Sequence, residues 1–379
     1  MAVDSGEKAG MRFWPTLQML SFLSKVAWCA IGAVAYLLGF PASAHSQITR
    51  DDLLGYAAAD GRVLPVRTVE DWAHRRAAIL KAAQEIMGPL PGAEKASPLD
   101  VQVTEEIDGG NYVRRLLSYA SEPGSRVPAY LLIPKAALAG GKRVPAVLCL
   151  HPTDNKIGHG VVVGLGGKEN RQYAVELAER GFVTIAPAYP QLADYQPDLP
   201  ALGYVSGTMK AIHDNRRALD LLDSLPFVRA GEYAAIGHSL GGHNSVYTAM
   251  FDERLRVVVS SCGLDSYRDY MKGDIRGWTS SRYMPRLLQW RERLAEVPVD
   301  FAEMIAALAP RTVFISAPLK DDNFRADSVD RLTAAARPVF ALHGAADRLI
   351  VEHPDAGHDF PDVMREKAYR LIEERLKPR

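Results

Sequence analysis

The hydrophobic pattern of the chain changes character at Pro134. Before it, short segments alternate apolar and polar residues, and Asp-Gly-Gly and Glu-Pro-Gly supply turns between them. This pattern predicts antiparallel strands at 101–107, 112–119 and 128–133. Further upstream, Thr68 is suited to cap a helix that ends at Gly88. The segment before Pro134 therefore predicts one helix and an antiparallel lead-in to a larger sheet.

After Pro134, near-continuous apolar runs alternate with amphipathic segments of helical period. Such runs are typical of strands that are covered on both faces, and they lie at 145–152, 182–190, 232–239, 255–263, 311–318, 338–344 and 349–354. Helices are predicted at 170–180, 207–225, 242–251, 328–336 and 361–376. This alternation predicts an α/β fold with a doubly wound, mostly parallel sheet. Ligands of such sheets bind at the carboxyl ends of the strands.

The N-terminal segment has the pattern of an export signal. Lys8, Arg12 and Lys25 precede an uncharged apolar run at 26–40, and an Ala-x-Ala sequence follows at 42–44. The run is shorter than the roughly 20 residues that span a membrane. We therefore expect a cleaved signal peptide and a periplasmic or secreted protein without stable membrane insertion. The alternative is an uncleaved N-terminal anchor.

Four segments follow from these patterns. We predict a signal peptide (1–44), a lead-in with one helix (45–97) and an α/β domain (98–379), within which 264–310 form a small cap insertion.

The charge balance excludes several classes of partner. Lys and Arg together number 45, as do Asp and Glu, so that no basic face for nucleic acid is predicted. Cys149 and Cys262 lie in predicted strands as small core residues, and no Cys/His spacing typical of zinc occurs. The segment 164–168 lacks the residues of a phosphate or dinucleotide loop. No metal and no organic cofactor is predicted, and the oligomeric state stays open.

One motif carries candidate chemistry. The segment 237–241 reads Gly-His-Ser-Leu-Gly, which fits the G-x-S-x-G pattern of a nucleophile elbow between a strand and a helix. Ser239 then needs a strained backbone, and a side chain at Gly237 or Gly241 would collide with neighbouring backbone. The alternative is a tight turn without chemistry.

A serine hydroxyl needs a neighbouring base, and in this arrangement the order along the chain is Ser, acid, His. His358 follows the last predicted strand and is the candidate base, while His353 lies inside that strand as a structural rival. Asp321 follows the second strand after the Ser239 strand and is the candidate acid. The alternatives for the acid are Asp322, Asp347 and Asp265.

The tetrahedral oxyanion needs N–H donors. The amide of Leu240 is the first candidate, and Thr153 is the second because Pro152 has no N–H. His151 is a candidate either to orient this loop or to contact substrate. The other candidates for substrate contact are His238 in the motif and two aromatic residues of the insertion, Trp278 and Tyr283.

These motifs resemble those of the α/β-hydrolase superfamily, in particular bacterial dienelactone-hydrolase-like and acetyl xylan esterase-like proteins. The shared sequences are VPAYLLIP, PAVLCLHPT, ELAERGFVTIAPAYP, GHSLGGHN, APLKDDNF and GHDF, which span residues 127 to 360. The resemblance favours Asp321, because the acid of such proteins commonly lies in a D-x-N-F segment. The family often has His-Gly or His-Gln where this chain has His151-Pro152.

The resemblance implies a serine esterase that hydrolyses small acyl esters, often on carbohydrates. Dienelactone hydrolases use cysteine at the position of Ser239, so their lactone specificity does not carry over. One alternative is a serine peptidase or amidase similar to prolyl oligopeptidase catalytic domains. The other is a non-catalytic carbohydrate-binding relative.

Overall fold

The computed structural model describes residue 50 and residues 52–377, so that the predicted signal peptide lies outside the described residues. Its strands are β1 (Gly55–Ala57), β2 (Val63–Pro65), β3 (Gln102–Asp108), β4 (Tyr112–Glu122), β5 (Ser125–Pro134), β6 (Val144–Leu150), β7 (Val183–Pro187), β8 (Val228–His238), β9 (Leu255–Ser261), β10 (Thr312–Ser316) and β11 (Leu349–Glu352). Its α-helices are α1 (Val69–Met87), α2 (Lys135–Leu138), α3 (Tyr173–Glu179), α4 (Gly207–Ser224), α5 (Leu240–Phe251), α6 (Phe301–Ala306), α7 (Ala326–Leu342) and α8 (Asp362–Leu376).

Nine of these strands form one sheet in the order β11-β10-β9-β8-β6-β7-β5-β4-β3. Neighbours from β7 through β6 to β11 are parallel, whereas β3, β4 and β5 form the antiparallel edge. β1 and β2 form a separate antiparallel pair. The prediction of a doubly wound, mostly parallel sheet is confirmed. Because the site-bearing strands are parallel, their carboxyl ends meet at one edge.

The burial of the central strands explains their composition. Val147 and Leu148 on β6 are both fully buried although they face opposite sides of the sheet. One packs in the cluster with helices α3 and α8, and the other in the cluster with α4 and α5. A strand covered on both faces needs apolar residues at every position, which is why the pattern was readable from the sequence.

Helix α1 begins as predicted. The Thr68 hydroxyl accepts a hydrogen bond from the Asp71 amide, and the Asp71 carboxylate accepts one from the Thr68 amide. This reciprocal pair satisfies two N–H groups that the helix itself cannot. The chain leaves the helix at Gly88 with φ +97°, a conformation that glycine adopts without strain.

The predicted strand at 338–344 is wrong. Residues up to Leu342 continue helix α7, with Pro338 inside it. The buried positions of this helix, which include Leu332, Ala336 and Val339, recur every three to four residues and so follow the helical period. A short apolar run after a proline does not by itself distinguish a strand from the end of a buried helix. The last strand of the sheet is β11, which pairs with β10.

Residues 264–310 contain helix α6 and four short 3₁₀ segments, at Tyr270–Gly273, Ile275–Trp278, Pro285–Trp290 and Leu294–Glu296. Their buried aromatic residues pack together, with Trp278 in ring contact with Tyr267 and Phe301. Within residue 50 and residues 52–377, none of the helices combines the length and the apolar character needed to cross a membrane.

Candidate active site

Ser239 lies at the turn between β8 and α5 in a strained conformation, with φ 54° and ψ −119°. A Cβ on Gly237 would lie 2.2 Å from the backbone of Gly241, and a Cβ on Gly241 would lie 1.9 Å from the carbonyl oxygen of Leu150. Both distances are far below van der Waals contact, so the predicted need for glycine at these two positions is confirmed. The close approach of strand, turn and helix holds Ser239 in a backbone region that only a tightly packed surrounding can maintain.

Ser239, His358 and Asp321 meet at the carboxyl edge of the sheet. The Nε2 atom of His358 lies 3.0 Å from Ser239 Oγ. Its Nδ1 atom lies 3.1 and 3.0 Å from the two carboxylate oxygens of Asp321. Because an ionised carboxylate only accepts hydrogen bonds, Nδ1 is the donor, and Nε2 is left to accept the hydroxyl proton of Ser239.

The electrostatics of Asp321 favour its ionised form. Its side chain is fully buried, and burial by itself would raise the pKa. The hydrogen bond from His358, together with backbone N–H bonds of 2.8 and 3.1 Å from Asn323 and Phe324, outweighs burial and holds the pKa of Asp321 below its ordinary value. A carboxylate that stays ionised keeps the imidazole in one tautomer.

The rival acids lie elsewhere. Asp322 is exposed, and Asp347 is exposed at 3.7 Å from Arg375. Asp265 is buried, and one of its oxygens accepts a hydrogen bond from the Arg325 amide. Burial raises the pKa of Asp265 to about 6. Among the described hydrogen bonds, none joins these three carboxylates to the imidazole of residue 358.

The rival base is also accounted for. Nδ1 of His353 lies 2.7 Å from the carbonyl oxygen of Ala317, and its Nε2 lies 3.0 Å from the carboxylate of Asp330. Both nitrogens therefore hold the chain around β11, which agrees with a structural role for His353, although His353 lies one residue beyond that strand and not inside it.

The two candidate oxyanion donors share a cavity with Ser239. Leu240 is the first residue of α5, so its N–H cannot bond within the helix. Thr153 lies in the loop after β6. The cavity has a volume of about 80 Å³ and is lined by Thr153, Ser239, Leu240, His243, Tyr270, Gly277, Trp278, Tyr283, Asn323 and Phe324. Trp278 and Tyr283, the two aromatic residues predicted from the insertion, both lie in its wall.

Five residues of this wall were missed by the sequence reasoning: His243, Tyr270, Gly277, Asn323 and Phe324. Asn323 and Phe324 belong to the D-x-N-F segment of the candidate acid, and His243 lies one helical turn after Ser239, so their sequence positions carried a usable signal. Burial lowers the pKa of His243 to about 3, which makes it neutral near pH 7. The wall therefore carries no charged side chain.

His151 does not line the cavity, which corrects its assignment as a substrate contact. It is buried, its Nδ1 lies 2.8 Å from the Pro152 carbonyl, and its Nε2 accepts a hydrogen bond from the Tyr189 amide. Burial lowers the pKa of His151 to about 4, which keeps the ring neutral. These bonds give it the other predicted role, which is to orient the loop that carries Thr153.

His238 does not line the cavity either, so its assignment as a substrate contact is also corrected. Its buried ring lies 4.8 Å from the ring of His358, and its Nδ1 lies 3.1 Å from Ser261 Oγ. Burial, and then the nearby charges of Arg171 and His358, lower the pKa of His238 well below its ordinary value. A neutral ring here supports His358 from within the protein.

The loop that carries His358 is held by residues that the sequence did not single out. Arg171, which is buried, donates to the Asp359 carboxylate at 2.6 Å and to the His358 carbonyl at 3.2 Å. Cys262 lies one residue beyond β9 with φ 47°, and its Sγ donates to the Asp359 carbonyl. The expectation that Cys262 lies inside a strand is therefore wrong, although the residue is buried.

In the part of the chain that the structure describes, the ligand atoms of His238, Cys262 and His358 lie within 4.8 Å of one another, a spacing that a metal ion could use. Both nitrogens of His358 are already engaged in hydrogen bonds with Ser239 and Asp321. The cluster is explained by those contacts.

Comparisons with known proteins give no matching family model. The chain is similar to the curated "Putative hydrolase YtaP" of Bacillus subtilis (strain 168), with 25% identity over 315 residues that cover 79% of this chain and 100% of YtaP. A solved glucuronoyl esterase from Solibacter usitatus superposes with a TM-score of 0.68 at 19% identity, over 85% of this chain and 96% of that chain.

A second solved structure is an acetyl xylan esterase from Paenibacillus sp. R4. It superposes with a TM-score of 0.50 at 19% identity, over 73% of this chain and 89% of that chain. At these identities a structural likeness speaks for the fold, which in this chain is a nine-stranded, mostly parallel sheet with flanking helices. The chain has the α/β-hydrolase fold.

Proposed function

We propose that this protein is a serine esterase that hydrolyses small acyl esters by two-step acyl transfer. The proposal depends on one observation above all, the continuous chain of hydrogen bonds from Asp321 through His358 to Ser239 at a strained strand-to-helix turn. This arrangement is the one that activates a serine hydroxyl near neutral pH. The similarity to a hydrolase and the fold shared with carbohydrate esterases support it.

In the proposed reaction, His358 takes the proton of Ser239 as the hydroxyl attacks the ester carbonyl. Asp321 stabilises the imidazolium and keeps its orientation. The amides of Leu240 and Thr153 donate to the tetrahedral oxyanion, which collapses as His358 protonates the leaving alcohol. Water then attacks the acyl-enzyme by the same route, and the acid product leaves.

The acyl group is proposed to be small and uncharged. The cavity beside Ser239 has a volume of about 80 Å³, and Trp278 and Tyr283 form part of its wall. An uncharged acyl group such as acetyl suits a wall without charged side chains. Because the walls are largely aromatic and neutral, we propose a carbohydrate as the alcohol, stacked on rings near the cavity mouth.

The decisive experiment is turnover of p-nitrophenyl acetate by wild type and by Ser239→Ala. The substitution should lower kcat by more than about 10⁴-fold, the cost of losing a triad member. Ser245→Ala is a matched control, because Ser245 is a buried serine of the helix that follows Ser239, and its hydroxyl bonds to the Gly241 carbonyl. A wild-type rate in Ser239→Ala would rule out the esterase proposal.

Substrate class is tested in the same assay. A panel of acetylated xylo-oligosaccharides, p-nitrophenyl acetate, a methyl glucuronate ester and an aminoacyl amide should give the highest kcat/KM on the acetyl esters. Preference for the amide would favour the peptidase alternative, and preference for the glucuronate ester would contradict a small acyl group.

Export and domain organisation remain proposals. We propose that residues 1–44 are removed during export to the periplasm or medium, that 45–97 form the lead-in, and that 264–310 cap the site within the domain 98–379. Cavity-lining Tyr270, Trp278 and Tyr283 support the cap. Cell fractionation and the N-terminal mass of the mature protein test the export; an intact Met1 on membrane-bound protein would favour the anchor.

A further inference from the structure

Two hydroxyl groups meet on one side of the cavity. Oγ1 of Thr153 lies 2.9 Å from the phenol oxygen of Tyr283, and neither oxygen has another hydrogen-bond partner among the described residues. Each hydroxyl brings one hydrogen. The bond between them uses one of the two hydrogens, whichever group donates. One O–H hydrogen therefore remains for a third acceptor beside Ser239.

The position of Tyr283 is fixed by its surroundings. Its ring packs against the buried cluster that contains Leu240, and it lies 6.3 Å from the ring of Tyr189. Its backbone carbonyl accepts a hydrogen bond from the Thr208 amide at the start of α4. Tyr283 thus adjoins both residues whose amides the proposed mechanism uses, Leu240 and Thr153, and it is held there before substrate arrives.

Pro152 removes one possible oxyanion donor from the loop after β6. Pro152 precedes Thr153 and has no N–H, so this part of the loop offers one amide fewer than another residue would give. A neutral, largely aromatic wall also strengthens any hydrogen bond to a charge that forms inside it. A hydroxyl at this place therefore has an evident electrostatic use.

We propose that the Tyr283 hydroxyl is a third oxyanion donor, oriented by the Thr153 hydroxyl. The assignment rests on the proposed esterase function. The phenol is chosen over the threonine hydroxyl because a phenol O–H is the stronger donor to an anion. The Thr153 hydroxyl donates to Tyr283, and Tyr283 donates to the oxyanion. No proton is transferred, and the hydrogen bond weakens again when the tetrahedral intermediate collapses.

The test compares Tyr283→Phe with wild type on p-nitrophenyl acetate. Removal of the hydroxyl should lower kcat by about 100-fold with KM within twofold, which is the signature of an interaction made only in the transition state. The inhibition constant of an aryl trifluoromethyl ketone, which forms a tetrahedral oxyanion on Ser239, should rise by a similar factor. Thermal unfolding confirms that each variant is folded.

Tyr189→Phe is the matched control, because it removes a phenol hydroxyl from the same cluster. That hydroxyl bonds to the Arg282 carbonyl and to the Thr208 hydroxyl, so its loss removes a phenol hydroxyl near Tyr283 and leaves all three proposed oxyanion donors in the protein. We expect kcat within threefold of wild type. Thr153→Val keeps the amide and removes the orienting hydroxyl; its loss should be smaller than that of Tyr283→Phe and should vanish in the Tyr283→Phe background.

A kcat of Tyr283→Phe within twofold of wild type, or an effect confined to KM, would overturn the assignment of Tyr283. An additive effect of Thr153→Val in the double variant would likewise overturn the orienting role of Thr153. Ser239→Ala in the same assay separates the two proposals. If Ser239→Ala is inactive and Tyr283→Phe is fully active, only the role of the Tyr283 hydroxyl is refuted. If Ser239→Ala is fully active, the esterase proposal itself is refuted.

Discussion

Arg171 and Asp359 form a hydrogen-bonded ion pair of 2.6 Å beneath the loop that carries the candidate base. The guanidinium is buried, and the carboxylate belongs to the residue directly after His358. The same guanidinium also reaches the His358 carbonyl. The pair therefore fixes the backbone of His358. Arg171 supplies this contact from the loop before α3, which is distant in sequence.

This pair predicts a positioning role for Arg171. Arg171→Lys keeps the charge and loses the forked geometry, so we expect kcat for acetyl ester to fall about tenfold while KM changes little. Steady-state kinetics measures the split. Arg180→Lys is the control, since Arg180 pairs with Glu366 on the partly exposed side of α8. Equal kinetics of wild type and Arg171→Lys would contradict the role.

We predict that a methyl group added at Gly241 strongly destabilises the fold. The Cβ of Gly241→Ala would lie 1.9 Å from the Leu150 carbonyl oxygen, and the colliding atoms are backbone, which cannot easily shift. We expect a loss of more than about 4 kcal/mol in the free energy of unfolding. Gly231→Ala, where nothing lies within 4 Å but φ is +85°, should cost only about 1 kcal/mol.

Chemical denaturation of the two glycine variants measures the difference. Similar losses in both would mean that the collision with Leu150 does not decide the requirement for glycine at Gly241.

Trp278 predicts the limit on acyl size. Its indole is buried and lines the cavity. Trp278→Leu leaves space beside Ser239, so the ratio of kcat/KM for p-nitrophenyl butyrate to that for the acetate should rise about tenfold. Trp290→Phe is the control within the same insertion, since Trp290 is absent from the cavity wall. An unchanged ratio would remove Trp278 from the acyl site.

We predict that the buried His159 makes the free energy of unfolding depend on pH. Burial lowers the pKa of His159 to about 3, whereas the unfolded chain has a value near 6.5. Between pH 6.5 and 3 the unfolded state thus binds a proton that the folded state does not, and the free energy of unfolding falls as the pH falls. One such group contributes a slope of about 1.4 kcal/mol per pH unit.

The substitution His159→Phe should remove this slope from denaturation curves measured between pH 6 and 4. Both ring nitrogens of His159 are buried without a described partner, and the ring packs against Tyr130, so phenylalanine suits the site. Parallel curves for wild type and His159→Phe would refute the prediction.

Much of the fold was predictable because its signals are local. The strands β6 to β10 are mostly buried on both faces, and their near-continuous apolar runs indicate this burial. The wrong prediction of a strand at 338–344 arose because the local signal there is ambiguous. A run of that length fits a strand and a helix end equally, and only its packing as part of α7 decides between them.

The candidate site also has features that the sequence predicts and features that only the tertiary structure reveals. The glycines around Ser239 and the order of serine, acid and histidine were readable in sequence, since the tight turn imposes its residues locally. The contact of Asp321 with His358, instead of Asp322, depends on how the loop after β10 bends. His151 and His238 were misplaced because their burial arises from strands and loops that are remote in sequence.

The sequence by itself determined the α/β class, the strained turn at Ser239 and the chain order of the candidate triad, because each follows from local periodicity or local steric limits. Only the tertiary structure decided which groups share the cavity and which hold it from behind. Thr153 and Tyr283 are separated by 130 positions, and Arg171 and Asp359 by 188, yet each pair is within hydrogen-bond distance. Such contacts depend on how the sheet brings its loops to one edge, which no local pattern of residues encodes.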